Sequence, residues 1–190
     1  MRKVVLLMHM SLDGFTTGPN GELDWAIVDE EMEPYVDDLL KTVDTALYGR
    51  VTYHMMEGYW PTVPENPSST KHEIDHARWV DNVSKIVFSK TLSKVEWQNT
   101  RLVKDNIAEE VSLLKHEPGG DMMIFGSPSI AQTLMQSGLI DEYRINVNPV
   151  VLGDGIPLFK DMKGAIPLKL VDARTFHSGV VGLHYQADKK

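Results

Sequence analysis

The chain has 190 residues, 42% of them hydrophobic, and a formal net charge of −8 at pH 7. This length and composition favour a single domain over residues 1–190 with a sizeable core. The acidic balance argues against nucleic-acid or anionic-membrane partners, and the absence of cysteine excludes disulfides and thiolate metal sites. No apolar run is long enough to span a membrane. The first run resembles a core strand more than a signal peptide, so we expect a cytoplasmic location.

In chain order, apolar runs and turn signals predict alternating strands and helices. A strand over 3–10 leads into a turn-rich loop over 11–25, and an acidic helix covers 30–41. The later elements are strands at 45–48, 85–89, within 95–103, at 122–125, 142–151, 168–176 and 180–187, and helices from 50, at 70–80, 107–116 and after 127. Residues 58–69 are predicted as loop. This order predicts an α/β fold with three α-β-α layers, a mixed, mainly parallel sheet and a C-terminal hairpin.

A strand–glycine–helix unit at 121–138 is the strongest functional signal. The apolar run ends at Gly126, Ser127 and Pro128 start a helix with serine as its cap, and Gly138 ends it. Free backbone N–H groups at such a helix start attract phosphate, although many α/β turns of this kind bind nothing.

Two further strand ends carry a hydroxyl and a cation. Gly49 turns a strand into a helix that begins with Arg50 and includes Thr52, and Ser89 and Lys90 follow the next strand. In a chain of net charge −8, these cations favour a local anion site, although both could be ordinary surface charges.

The segment His72-Glu73-Ile74-Asp75-His76 matches the H-E-x-x-H zinc pattern. Asp75 is charged where zinc helices usually bury an apolar residue, and Glu96, the possible third ligand, lies in polar turn sequence. We favour a surface helix without a metal, and keep zinc hydrolysis as a remote alternative.

Taken together, four segments resemble the dihydrofolate reductase-like superfamily, in the branch related to the riboflavin-biosynthesis reductase domain. They are LYGRVTYHMMEGYW, SKIVFSKTL, MMIFGSPSIAQTLMQSGLIDEYRINVNPVVLGDGIPLF and VVGLHYQAD. The resemblance covers nearly the whole chain, with 57–82 as its most individual part. It implies an eight-stranded sheet flanked by helices, binding of NADPH, and hydride transfer to a conjugated C=N or C=O bond.

The resemblance also implies roles for individual residues. The first phosphate-binding turn would be Gly49, Arg50 and Thr52, and Ser89 and Lys90 would hold the 2′-phosphate. The pyrophosphate turn would comprise Gly126, Ser127, Pro128, Ser129 and Ile130, with Gly-Ser in place of the usual Gly-Gly. Met8 and His9 would offer backbone groups to the nicotinamide, under a lid over 13–25 that includes Gly18 as a further cofactor contact.

The proton donor is less well defined. Folate reductases carry a helix carboxylate five residues after a lid tryptophan, which corresponds to Glu30 after Trp25. A buried carboxylate there could relay a proton, but Glu30 could equally be a helix-start charge. The ungapped match places Ile145 at a folate-reductase threonine, and Val83-Ser84 where the glutamate-binding arginine is expected. Both differences argue against folate.

Three hypotheses follow. The first is an NADPH-dependent reductase of a small pterin-like or pyrimidine-like molecule, with no nucleic-acid or membrane partner. The second is a nucleotide-binding protein that keeps the fold without turnover, and the third is the zinc hydrolase. Because the related reductase domain pairs through apolar elements such as the C-terminal hairpin, we also expect a homodimer.

Overall fold

The computed structural model describes residues 1–28 and 30–188. Within them, eight strands form one sheet in the order β5-β4-β3-β6-β1-β7-β10-β9, and β2 and β8 form a small second ribbon. The strands are β1 (Val4–Ser11), β2 (Phe15–Thr17), β3 (Val43–Gly49), β4 (Ser84–Phe88), β5 (Thr100–Val103), β6 (Asp121–Phe125), β7 (Glu142–Asn148), β8 (Ile156–Pro157), β9 (Leu168–Thr175) and β10 (Val181–Ala187).

The sheet is parallel from β5 to β7, and β10 runs antiparallel to both β7 and β9. The helices are α1 (Glu33–Leu40), α2 (Arg50–Tyr59), α3 (Lys71–Asn82), α4 (Ile107–Leu114) and α5 (Pro128–Gln136), with 3₁₀ turns at Glu30–Met32 and Trp60–Glu65. The predicted three-layer architecture, the mainly parallel eight-stranded sheet and the C-terminal hairpin are therefore confirmed.

The alternation of side chains along the strands builds one core on each face. Val4, Leu6 and Met8 of β1 pack with α4 and α5, whereas Val5 and Leu7 pack on the face that α1 covers. The helices α2 and α3 cover the same face as α1, over β3 and β4. Because both faces are covered, the central strands consist of apolar runs.

Several helix ends have the signals expected from the sequence. Thr70 and Glu73 form a capping box at the start of α3. After α5, Gly138 has a φ of +64°, and the N–H groups of Gly138 and Leu139 donate to the carbonyls of Met135 and Leu134. This Schellman geometry ends the helix where the sequence predicted.

Some local predictions were wrong. Trp60–Glu65 is a 3₁₀ turn rather than loop: Pro61 occupies the first turn, where proline is tolerated, and Pro64 lies inside the turn. The strand predicted over 142–151 with an interruption at Pro149 ends at Asn148 and does not resume, since Pro149 has no N–H to donate to a neighbouring strand. Among the described residues, no helix has the length and apolar character needed to cross a bilayer.

Candidate active site

The carboxyl ends of the central parallel strands meet at one edge of the sheet. Gly49 of β3 is the register partner of Phe88 in β4, and Leu7 of β1 is the partner of Phe125 in β6. Since β6 also pairs with β3, the turns after β4, β3 and β6 lie side by side next to β1. Ligands in open α/β sheets bind at this edge.

A direct hydrogen bond joins the two strand–glycine–helix turns. The backbone N–H of Gly49 donates to Oγ of Ser127 over 2.8 Å, between residues 78 positions apart in the chain. A Cβ at position 49 would lie 3.3 Å from Cγ1 of Ile130 and 3.6 Å from Oγ of Ser129. The N-termini of α2 and α5 therefore open next to each other, at a spacing that favours glycine at position 49.

Ser127 occupies the N-cap position of α5, but its side chain does not cap the helix. Its φ of +52° follows a φ of +58° at Gly126, so two consecutive left-handed residues turn the strand into the helix. Left-handed backbone is unfavourable for residues with a side chain. The predicted helix start is confirmed, whereas the predicted serine cap was wrong because the hydroxyl bonds to Gly49 instead.

The two helix starts form an electropositive donor set. The first backbone N–H groups of α2 have no partner within that helix, and helix dipoles favour anions at both helix starts. In α5, Pro128 has no N–H and the N–H of Ile130 donates to the carbonyl of Ser127 at 3.0 Å, which leaves the N–H of Ser129. Thr52 is buried, with Oγ1 3.9 Å from the position of a Cβ on Gly126. Arg50 is exposed and forms no ion pair with any described residue. These groups, with the exposed Ser129, suit the phosphates of a dinucleotide.

The turn after β4 lies one strand farther from Gly126. Oγ of Ser89 accepts hydrogen bonds from the N–H groups of Thr91 (3.2 Å) and Leu92 (3.1 Å), which fixes this turn. The side chain of Lys90 is 81% exposed, and its Nζ lies 3.8 Å from Oδ1 of Asp105. Lys90 is thus available to an anion but already has a weak carboxylate partner.

The backbone groups of His9 and Met8 point to opposite sides of β1, and the predicted contacts of both residues with the nicotinamide stay predictions. Leu7 directs its backbone toward β6, where its carbonyl accepts from the N–H of Gly126 at 3.1 Å. Backbone direction alternates along a strand, so His9 also faces the β6 side, beyond the end of that strand. Met8 faces β7, and its side chain is buried in the core. Burial lowers the pKa of His9 below 6.5 and favours a neutral ring.

The predicted lid is attached to the loop after β7. Asp13 accepts hydrogen bonds from Oγ of Ser11 (2.7 Å) and from the N–H groups of Leu152 (3.1 Å) and Gly153 (2.8 Å). The bond from Ser11 is the largest cause that lowers the pKa of Asp13 to about 2. Gly18 is buried farther along, where its N–H donates to the carbonyl of Glu22. The first part of the lid is therefore anchored.

Glu30 opens the 3₁₀ turn before α1, and its side chain is exposed. The buried environment expected for a proton relay is not present at this position. Its neighbour Glu31 bonds His177, accepting from the backbone N–H at 2.8 Å. The catalytic role of Glu30 stays a prediction.

The histidines of the zinc-like segment lie on α3. Nδ1 of His72 is 3.6 Å from carboxylate oxygens of both Glu33 and Asp37, which links α3 to α1. The ring of His76 packs against Trp60 with centroids 4.5 Å apart. Within residues 1–28 and 30–188, no group of three or more potential ligands could hold a metal ion.

A row of buried polar residues on β7 was not predicted from the sequence. Asn146 and Asn148 are almost completely buried and face α1, whereas Ile145 packs into the opposite core. Ile145 therefore does not face α1, although the ungapped match placed it at the folate-reductase threonine. The alternation of polar and apolar residues in EYRINVN could have revealed this row.

The strand order, with its parallel centre and antiparallel C-terminal strands, gives the chain the α/β fold of the dihydrofolate reductase-like class. Within that class, a model of the RibD C-terminal domain matches residues 2–182, so the chain belongs to the RibD C-terminal domain family.

Comparisons with individual proteins agree with this assignment. The chain is 42% identical over 184 residues to the uncharacterized protein YyaP of Bacillus subtilis (strain 168), covering 97% of this chain and 94% of YyaP. A solved protein of Shewanella sp. PV-4, provisionally assigned to riboflavin biosynthesis, aligns over 100% of both chains with a TM-score of 0.74 and 22% identity. Dihydrofolate reductase from Enterococcus faecalis, complexed with NADP(H) and RAB-propyl, aligns over 98% of this chain and 97% of that one, with a TM-score of 0.64 and 14% identity.

Proposed function

We propose that the protein is an NADPH-dependent reductase that delivers hydride to a conjugated C=N or C=O bond of a small pterin-like or pyrimidine-like substrate. The observation that carries this proposal is the hydrogen bond between Gly49 and Ser127. It places the free N–H groups of two helix starts together at the carboxyl edge of the sheet. The family and the NADP(H) complex of the Enterococcus faecalis enzyme support the same cofactor.

Each part of the cofactor has a candidate partner in this chain. The N-termini of α2 and α5, with Thr52, would hold the pyrophosphate. Ser89 and Lys90 would hold the 2′-phosphate, and the backbone of His9 would position the nicotinamide. When bound, the nicotinamide supplies the hydride. Glu30 is the proposed proton source, and the segment before α1 would have to close to bring its exposed carboxylate to the substrate.

The cations provide a direct test of cofactor choice. A charge-assisted phosphate contact is worth about 1.5–3 kcal/mol, or roughly ten- to a hundredfold in affinity. Lys90→Ala should weaken NADPH by that factor and affect NADH less, because only NADPH carries the 2′-phosphate. Arg50→Ala is expected to act in the same direction.

Asp105→Asn is the matched control, since it removes the carboxylate 3.8 Å from Lys90 and should preserve or improve NADPH binding. The dissociation constants of NADPH and NADH for each variant show which phosphate the cations contact. Equal weakening of NADPH and NADH would assign the cations to the shared pyrophosphate, and no change would place the pocket elsewhere.

A nucleotide-binding protein without turnover is the second candidate. The observation that favours it is that Ser127 already occupies the N–H of Gly49, so this backbone N–H is not available to a pyrophosphate. Loss of NADPH absorbance, followed against a panel of dihydropterins, pyrimidines and quinones, separates the two functions. Binding of NADPH without oxidation on any of them would favour this second candidate.

A further inference from the structure

Asn146 has an unusual environment for a buried amide. Its side chain is 1% exposed, and neither Oδ1 nor Nδ2 has a hydrogen-bond partner among the described residues. Buried amides are nearly always bonded, because an unsatisfied polar group carries a desolvation penalty. The position therefore calls for a partner with both a donor and an acceptor.

The unsatisfied groups are concentrated around this residue. Seven buried side-chain N and O atoms lack partners within the described part of the chain, and four belong to Asn146, Tyr35 and Arg144. Tyr35 of α1 lies over Arg144, with Cζ of the arginine 5.9 Å from the ring centroid. A Cβ on Gly182, the register partner of Asn146 on β10, would lie 3.2 Å from Cε2 of Phe176 and 3.5 Å from Oδ1 of Asn146, so glycine leaves room for the Phe176 ring beside the amide.

Asn148, two residues along the same face, is fully bonded. Its Oδ1 accepts from the N–H of Ile27 at 2.8 Å, and its Nδ2 donates to the carbonyl of Asn146 at 3.0 Å. The two asparagines share strand, face and burial. They differ in whether their side chains are satisfied, so Asn148 is an internal control.

The location of Asn146 connects it with the proposed reductase site. It is the register partner of His9 on β1, and partners on adjacent parallel strands direct their side chains to the same face. His9 is the residue whose backbone would position the nicotinamide in the proposed function. Asn148 holds Ile27, which lies shortly before α1 and packs against the cluster that includes Tyr35 and Phe176.

We infer that Asn146 is a specificity-determining residue of the proposed reductase and that its amide binds a lactam edge of the substrate. This inference rests on the proposed function. A primary amide offers one acceptor and two donors, which complement the adjacent N–H and C=O of a cyclic amide. A quinone has no N–H to donate, so such molecules would be bound less well.

The probe is pteridine-2,4-dione, a fluorescent bicycle with lactam edges, and its 1,3-dimethyl derivative is the control ligand without ring N–H donors on that edge. Titrations are made on the full chain with and without NADPH. The wild type should bind the dione at least about tenfold tighter than the dimethyl derivative, and Asn146→Leu should lose about ten- to a hundredfold in affinity for the dione. NADPH affinity, measured alongside, should be unchanged.

The melting temperature distinguishes a binding role of Asn146 from a purely structural one. Asn146→Leu removes unsatisfied atoms and should raise the melting temperature by about 2–4 °C, whereas Asn148→Leu should lower it. Asn146→Asp, which keeps the shape but loses the donors, tests binding if the leucine variant does not fold.

Three results would overturn the inference. The wild type could bind the two ligands equally, or it could fail to bind the dione. Asn146→Leu could also lose as much stability as Asn148→Leu. Failure of NADPH to bind the wild type would instead reject the proposed function, because the dione is also titrated alone.

Discussion

Replacing Ser127 tests the junction between the two phosphate-binding turns. Ser127→Ala removes the hydroxyl that accepts from the N–H of Gly49 and keeps a side chain at a φ of +52°. Ser127→Gly removes the same hydroxyl and also relieves the left-handed backbone. The pair therefore separates the hydrogen bond from the conformational strain.

The two contributions have different magnitudes. Gly49 is buried, so leaving its N–H without a partner should cost about 2 kcal/mol of unfolding free energy, within the usual range of about 1–3. Glycine should recover about 1 kcal/mol at a left-handed position. For a chain of this size, 1 kcal/mol corresponds to about 2–4 °C in melting temperature. We expect the alanine variant to melt about 4–8 °C below the wild type, and the glycine variant to lie between them.

Cofactor affinity should change in the opposite direction. The glycine variant frees the N–H of Gly49 and removes a side chain from the turn, so NADPH should bind about tenfold tighter. Calorimetric unfolding and NADPH titration of both variants are the assays. Equal melting temperatures for the two variants would contradict the left-handed backbone at Ser127. Weaker NADPH binding would show that the hydroxyl is a better phosphate donor than the N–H it occupies.

Three other predictions concern separate parts of the molecule. Glu30→Gln should depress turnover and leave NADPH affinity nearly intact; unchanged turnover across pH would make Glu30 a helix-start charge. Burial, followed by the charge of His72, lowers the pKa of His76 from 6.5 to about 4. As pH falls, the unfolded chain therefore binds this proton before the folded chain does, and the free energy of unfolding should fall by up to about 3 kcal/mol between about pH 6.5 and 4. His76→Gln should flatten this pH dependence in denaturant titrations. An unchanged pH dependence in the variant would refute the lowered pKa of His76. Sedimentation of the wild type at micromolar concentration should give a homodimer. Leu170→Lys should weaken this dimer, because Leu170 on edge strand β9 is 52% exposed. A monomeric wild type would contradict the prediction.

Local signals explain why much of the fold could be predicted. Gly49, Gly126 and Gly138 mark turns whose geometry depends on the residues beside them, and the buried strands have continuous apolar runs. The ribbon of β2 and β8 was missed because strands of two or three residues have no measurable periodicity.

The site was only partly predictable because its decisive contacts join distant residues. The bond between Gly49 and Ser127 depends on β3 and β6 lying side by side, which no local pattern reports. The sequence also suggested that the apolar residues of the last strand are available to a partner. In the structure Leu183 and Tyr185 of β10 pack against the core, and the exposed edge belongs to β9.

The most direct test of the central claim is a titration of the wild-type protein with NADPH and NADH under identical low-salt conditions. The proposed site predicts saturable binding of NADPH, at least about tenfold tighter than NADH, with a preference that narrows as salt is raised. Failure of both cofactors to bind, or equal affinities that do not respond to salt, would contradict the proposed NADPH site.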